Sequence, residues 1–206
     1  MRRLLCGGFF FLLAGCLGSS LTPPWGGERH RGGLLVDSTS GPLLTALEWG
    51  RSHGEQAEKL IDAYYRQPYL EGPVTQWAAL HTKWTHLARY GAAQALAGKP
   101  VDPKVAESFA TSPHLTIELT FQGYHRGLLA GADVLLVQRG KRIYPDRVRA
   151  DLPRLTTDRE KQTIYEGTLR VDFLYEKLNL RQEARVLIRR DEGPDLSFDF
   201  DLDRYK

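Results

Sequence analysis

Asp199, Asp201 and Asp203 recur at strand spacing near the C-terminus, and three carboxylates on one face of a strand are the hard oxygen donors that Ca²⁺ takes. Phe198, Phe200 and Leu202 fall on the opposite face. The stretch has no calcium loop with a central glycine and a terminal glutamate, and a row of like charges repels itself unless neutralised. Arg185 and Arg189 stand on the matching face of the preceding predicted strand, so the expectation is a solvated row balanced by cross-strand ion pairs. His81 and His86 raise the same question for zinc. On one helix, five residues turn through about 500°, which leaves the rings about 140° apart and unable to clamp one ion. The surrounding HTKWTH also differs from the His-Glu-x-x-His of a zinc protease.

Nucleophilic and acid–base chemistry find little support. The chain has no Gly-x-Ser-x-Gly elbow, P-loop or dinucleotide fingerprint. His125 beside Arg126, in GYHRGLLAGAD, is the most suggestive polar pair, yet one histidine needs a positioned partner to move protons. Trp77, Trp84 and Tyr90 offer a sugar-stacking platform, although tryptophans at helical spacing commonly fill a core. No catalytic residue, metal or cofactor is expected. The binding candidates are Arg139, Lys141, Arg142, Arg147 and Arg149, followed by Arg154, with only Asp146 and Asp151 among them. On a hairpin these cations suit an anionic lipid or polymer surface; Lys and Arg also guard sheet edges against strand addition. Without a reading helix or an aromatic platform, nucleic acid is not an expected partner.

The elements that would carry these residues are legible as a change of period. Residues 43–112 read as a helical segment. Ser52 and Glu55 have capping-box spacing, and Ala57, Leu60, Ile61 and Tyr64 then line one face until Pro68. Trp77, Leu80, Trp84, Leu87, Gly91 and Ala95 predict a second helix ending at Gly98-Lys99-Pro100. Asp102 before Pro103 predicts a third, to about Ala110. After Pro113 the period becomes 2: Leu115, Ile117, Leu119 and Phe121 alternate with polar residues, as do Leu169, Val171, Phe173 and Tyr175. VLLVQ and RIYPDRV form a predicted hairpin through Arg139-Gly140-Lys141, and Val186 and Ile188 return as Phe198 and Phe200 through Asp191-Glu192-Gly193-Pro194. The fold class expected is α+β, with residues 113–206 resembling immunoglobulin, fibronectin type III or transthyretin-like sandwiches in strand pattern. The Cys-Trp-Cys set of antibody domains is missing.

The N-terminus concerns address. Arg2 and Arg3 precede an apolar run, Leu4 to Ala14, too short to span a bilayer, and a small-residue exit follows. Leu13-Ala14-Gly15-Cys16 resembles the lipobox of bacterial lipoprotein precursors, which implies cleavage of residues 1–15 and lipid attachment at Cys16. Two or three acyl chains, at about 0.8 kcal/mol per buried methylene, anchor a soluble domain stably. Cys6 would be lost with the signal, so the mature chain would contain no disulfide, and its formal charge would fall from +3 by the two arginines. Residues 16–42, rich in Gly, Pro and Arg, read as a tether spanning roughly 26 to 30 Å if flexible. Leu17 replaces the aspartate that in this family commonly signals inner-membrane retention, so the outer membrane is favoured where the organism has one. The expected function is non-enzymatic: a lipid-anchored module that binds an envelope protein or polymer, with an envelope hydrolase or a purely structural lipoprotein as alternatives.

Overall fold

A computed structural model describes residues 40–70, 75–158, 160–191 and 195–205. The signal, Cys16, most of the expected tether and the centre of the 191–194 turn lie outside the described residues. In chain order the elements are α1 (Ser40–His53), α2 (Gln56–Tyr65), β1 (Arg66–Leu70), β2 (Thr75–His81), α3 (Lys83–Leu96) and α4 (Pro103–Ala110). Then come β3 (His114–Gly123), β4 (Asp133–Gln138), β5 (Lys141–Ile143), β6 (Arg147–Ala150), β7 (Arg154–Thr157), β8 (Thr163–Leu174), β9 (Glu183–Arg189) and β10 (Leu196–Asp201). The protein is mixed α+β, with antiparallel strand pairs throughout the described residues.

Strands β3 and β8 pair along ten positions, from His114 opposite Leu174 to Gly123 opposite Tyr165. Their alternation brings Leu115 to Phe173, Ile117 to Val171 and Leu119 to Leu169 on one face, all of them buried. One sheet runs β1-β2-β3-β8, with β6 and β7 both on the far side of β8; the other runs β10-β9-β4-β5. The apolar faces of both sheets belong to one continuous core, joined in part by Tyr69 of β1 edge-on to Phe198 of β10.

Three local expectations are corrected. Ser52 does not open a helix: it lies inside α1, where its hydroxyl donates to the Trp49 carbonyl, and Glu55 at the α2 N-cap makes no side-chain cap. The predicted helix from Trp77 to Ala95 is two elements. Trp77 and Leu80 lie on β2, and α3 begins only after Thr82, whose hydroxyl and backbone form a reciprocal box with Thr85. Ala78 and Leu80 are buried opposite Leu119 and Ile117, so pairing with β3 overrides the helical spacing. RIYPDRV is likewise divided, because β5 ends at Ile143 in one sheet and β6 starts at Arg147 in the other. Pro145, without an N–H, cannot continue the β5 ladder across the gap. The strands β1 and β2, inside residues 43–112, thus share a sheet with β3.

The helices α1 and α3 meet backbone to backbone. A Cβ on Gly50 would overlap the carbonyl oxygen of Ala88, and one on Gly91 would overlap that of Leu47. In an exposed helix, Gly→Ala stabilises by about 1 kcal/mol. Here Gly50→Ala and Gly91→Ala should each instead destabilise by roughly 1–3 kcal/mol, because the helices must separate. Urea unfolding checks this; an unchanged or higher midpoint would refute the close approach.

Candidate functional site

The basic residues named from the sequence follow one flank of the chain's course, on and beside β5 at the end of one sheet and on β6 and β7 at the edge of the other. Gln138 pairs with Lys141, so β4 and β5 are joined by the two-residue turn Arg139-Gly140. Both turn residues have positive φ, 46° and 80°, the geometry of a type I′ hairpin. Tyr144-Pro145-Asp146 then carries the chain to β6 at the edge of the other sheet. Between β6 and β7, residues 151–153 face only Gly167 and Thr168 of β8, so the edge is broken by a bulge containing Pro153.

The cations on this flank divide into two kinds. Arg149 makes two hydrogen bonds to Asp172, of 3.1 and 2.9 Å, and Thr116 donates to the same carboxylate at 2.6 Å. Arg154 donates to Glu166 at 2.6 Å. Asp172 and Glu166 are buried, so these pairs satisfy carboxylates that the fold has removed from water. Arg139, Lys141, Arg142 and Arg147 are exposed and make no ion pair among the described residues. The two nearby acids are engaged, Asp146 with His114 at 3.1 Å and Asp151 with Arg170 at 3.0 Å. Exposed apolar side chains occur in the same stretch of chain: Tyr144 (58% exposed), Val148 (47%), Leu152 (88%) and Leu155 (64%). They are half of the eight large hydrophobics that stand exposed among the described residues.

A second site escaped the sequence reading. His81 ends β2 and His86 lies in the first turn of α3, so the strand-to-helix junction brings their ring centroids to 5.8 Å. The expectation of rings set apart on one helix is therefore corrected. With Glu58 and Asp62 of α2, Arg66, Arg89 of α3 and Glu118 of β3, they line a cavity of about 220 Å³. The Arg89 guanidinium donates to His81 Nδ1, which leaves the ring proton on Nε2, 3.9 Å from Glu118 Oε2. Burial first, then the Arg89 charge, pushes His81 down to about 3 and His86 to about 4, with Asp172 opposing for His86. Both imidazoles are neutral at pH 7. Burial raises the Asp62 carboxyl, against the pull of Arg66.

Each carboxylate around this cavity already has a cation. Glu58 takes Arg89 at 2.8 Å, Asp62 takes Arg66 at 2.8 Å, and Glu118 takes Arg170 at 3.0 Å. His86 stacks on Phe109 of α4 with the ring planes 6° apart. The arrangement is a charge-balanced polar network that ties α2, α3 and α4 to the sheet. The Thr82-x-x-Thr85 box was the one sequence signal that separates His81 from the helix carrying His86.

The remaining candidates do not converge. Arg185 and Asp199 form the expected cross-strand pair, at 2.6 and 3.0 Å. Asp201 faces Glu183, Arg189 lies 3.9 Å from Asp195, and Asp203 leaves the strand for a 3-10 turn at Leu202–Tyr205. Among the described residues no group of three or more His, Cys, Asp or Glu is arranged to hold a metal. His125 and Arg126 are exposed between β3 and β4. Trp84 is buried against Trp49, Trp77 lies on β2 under Arg66, and Tyr90 packs on Phe109.

The histidines dictate how stability responds to acid. Their folded values lie below the unfolded value of 6.5, so the unfolded chain binds more protons between them. Their contribution is complete above pH 6.5 and is lost as the pH falls toward about 4 and 3, on the order of a few kcal/mol in all. Asp62, raised in the fold, acts in the opposite sense at the acid end. Urea unfolding from pH 7 downward should show a shallower loss for the double variant His81→Gln/His86→Gln than for the parent. Equal slopes would contradict the buried neutral pair. No protein-family model and no curated protein matches this chain.

Proposed function

We propose that this protein is a lipid-anchored bacterial envelope lipoprotein, of the outer membrane where one exists, acting by binding rather than catalysis. The anchor rests on Leu13-Ala14-Gly15-Cys16, whose thiol is the nucleophile that lipid attachment needs. One observation carries the binding role: four exposed cations that make no ion pair among the described residues share residues 139–155 with four exposed apolar side chains. Residues 139–155 contain six basic and two acidic residues, in a chain whose total formal charge is only +3, so the positive field is local. An anionic component of the envelope is the complementary partner.

The two sheets are read as a variant of the immunoglobulin-like sandwich, supported by strand alternation and one continuous core between their apolar faces. A binding role is also consistent with the cavity, whose carboxylates are bonded to arginines. Metabolic labelling with a fatty-acid analogue tests the anchor. The parent should carry label and sediment with membranes, whereas Cys16→Ser should accumulate as an unlabelled, uncleaved precursor. Undiminished label on Cys16→Ser would refute the assignment.

A further inference from the structure

Resting on that reading, we infer that the partner of the flank is the anionic phospholipid surface itself: the anchored protein lies on its β5–β6–β7 side. Three observations favour a bilayer. The free cations, Arg139, Lys141, Arg142 and Arg147, share one stretch of chain with exposed Tyr144, Leu152 and Leu155, and at the sheet edge Arg147 lies on the outer face, opposite Asp172, while Val148 and Leu155 lie on the core side, opposite Val171 and Tyr165. Charge facing headgroups, with apolar and aromatic groups able to enter the interfacial layer, is the pairing that lipid surfaces select. Solvent alone gives no reason for Leu152, at 88% exposure, and Leu155 to remain apolar beside arginines.

The edge is also poorly built for an extended peptide. Strands β6 and β7 present four residues each, separated by the bulge with Pro153, so an added strand would lose register after the first segment. A planar surface of distributed charge has no such requirement. Proximity adds to the attraction. The chain from Cys16 to Ser40 can extend to at most about 80 Å, which keeps the start of α1 within that distance of the anchor. Weak surface attraction then acts at an effective concentration in the millimolar range.

The test uses the mature lipidated protein in vesicles. On the anchoring reading Cys16 is acylated, so Leu152→Cys supplies one reactive thiol for an environment-sensitive fluorophore, and Leu96→Cys, on α3 and also exposed, supplies the control. On vesicles containing phosphatidylglycerol the reporter at 152 should shift to the blue and be quenched by spin-labelled lipid, while that at 96 stays aqueous. Pure phosphatidylcholine or high salt should abolish the response. Replacing Arg139, Lys141, Arg142 and Arg147 by Gln one after another should lower the ratio of docked to undocked protein about fivefold per cation. An aqueous reporter at 152 on anionic vesicles, with fatty-acid label present, would overturn the docking face and leave the anchor standing. Equal responses at 152 and 96, or protection at 152 only after addition of an acidic protein, would overturn it as well.

Discussion

The pairing of β3 with β8 is the constraint on which everything else hangs. Ten residues in register set two different surfaces back to back. On the buried face, three facing pairs of large apolar residues are removed from water, each side chain contributing about 1.5–3 kcal/mol. On the other face the same register aligns Thr116 with Asp172, Glu118 with Arg170 and Gln122 with Glu166. A slip of one residue would exchange the faces and place carboxylates in the core. The cavity and the flank are both extensions of this pair: Glu118 of β3 reaches the cavity, and β8 holds the flank strands β6 and β7.

Along this flank one basic run divides into cations paired with buried carboxylates and cations that are exposed. Arg149 and Arg154 serve the fold, because each meets a carboxylate that is itself buried. Removing such a cation leaves a buried carboxylate with only a neutral donor, Thr116 for Asp172 and Gln122 for Glu166, although the guanidinium groups themselves are largely exposed and screened by solvent. Arg139, Lys141, Arg142 and Arg147 are exposed and make no ion pair among the described residues. Of the two local acids, Asp151 pairs with Arg170 and Asp146 hydrogen-bonds His114. The hairpin turn, the crossing at Pro145 and the bulge at Pro153 carry the free cations and the exposed apolar side chains from the end strand of one sheet to the edge of the other.

Much of this was legible in the sequence, unevenly. The alternation of β3, β8 and β10, the Asp102-Pro103 start of α4 and the Arg139-Gly140 turn follow from local chemistry, which tertiary packing reinforces. Trp77, Leu80 and Trp84 were misleading because their spacing fits a helix, whereas β2 buries Ala78 and Leu80 through non-local pairing with β3. The approach of His81 to His86 depended on that same junction and could not be inferred from helical angles. The basic run was visible as composition. Which of its members are free depended on the burial of Asp172 and Glu166, a property of the sheet rather than of the run.

The most direct test of an anchored protein lying on its basic flank is amide hydrogen exchange, compared between phosphatidylglycerol and phosphatidylcholine bilayers. Docking predicts slower exchange for residues 147–157, at the open edge of the sheet, on the anionic lipid, with α3 unchanged. Identical exchange at that edge on both lipids, with the fatty-acid anchor intact, would contradict the account.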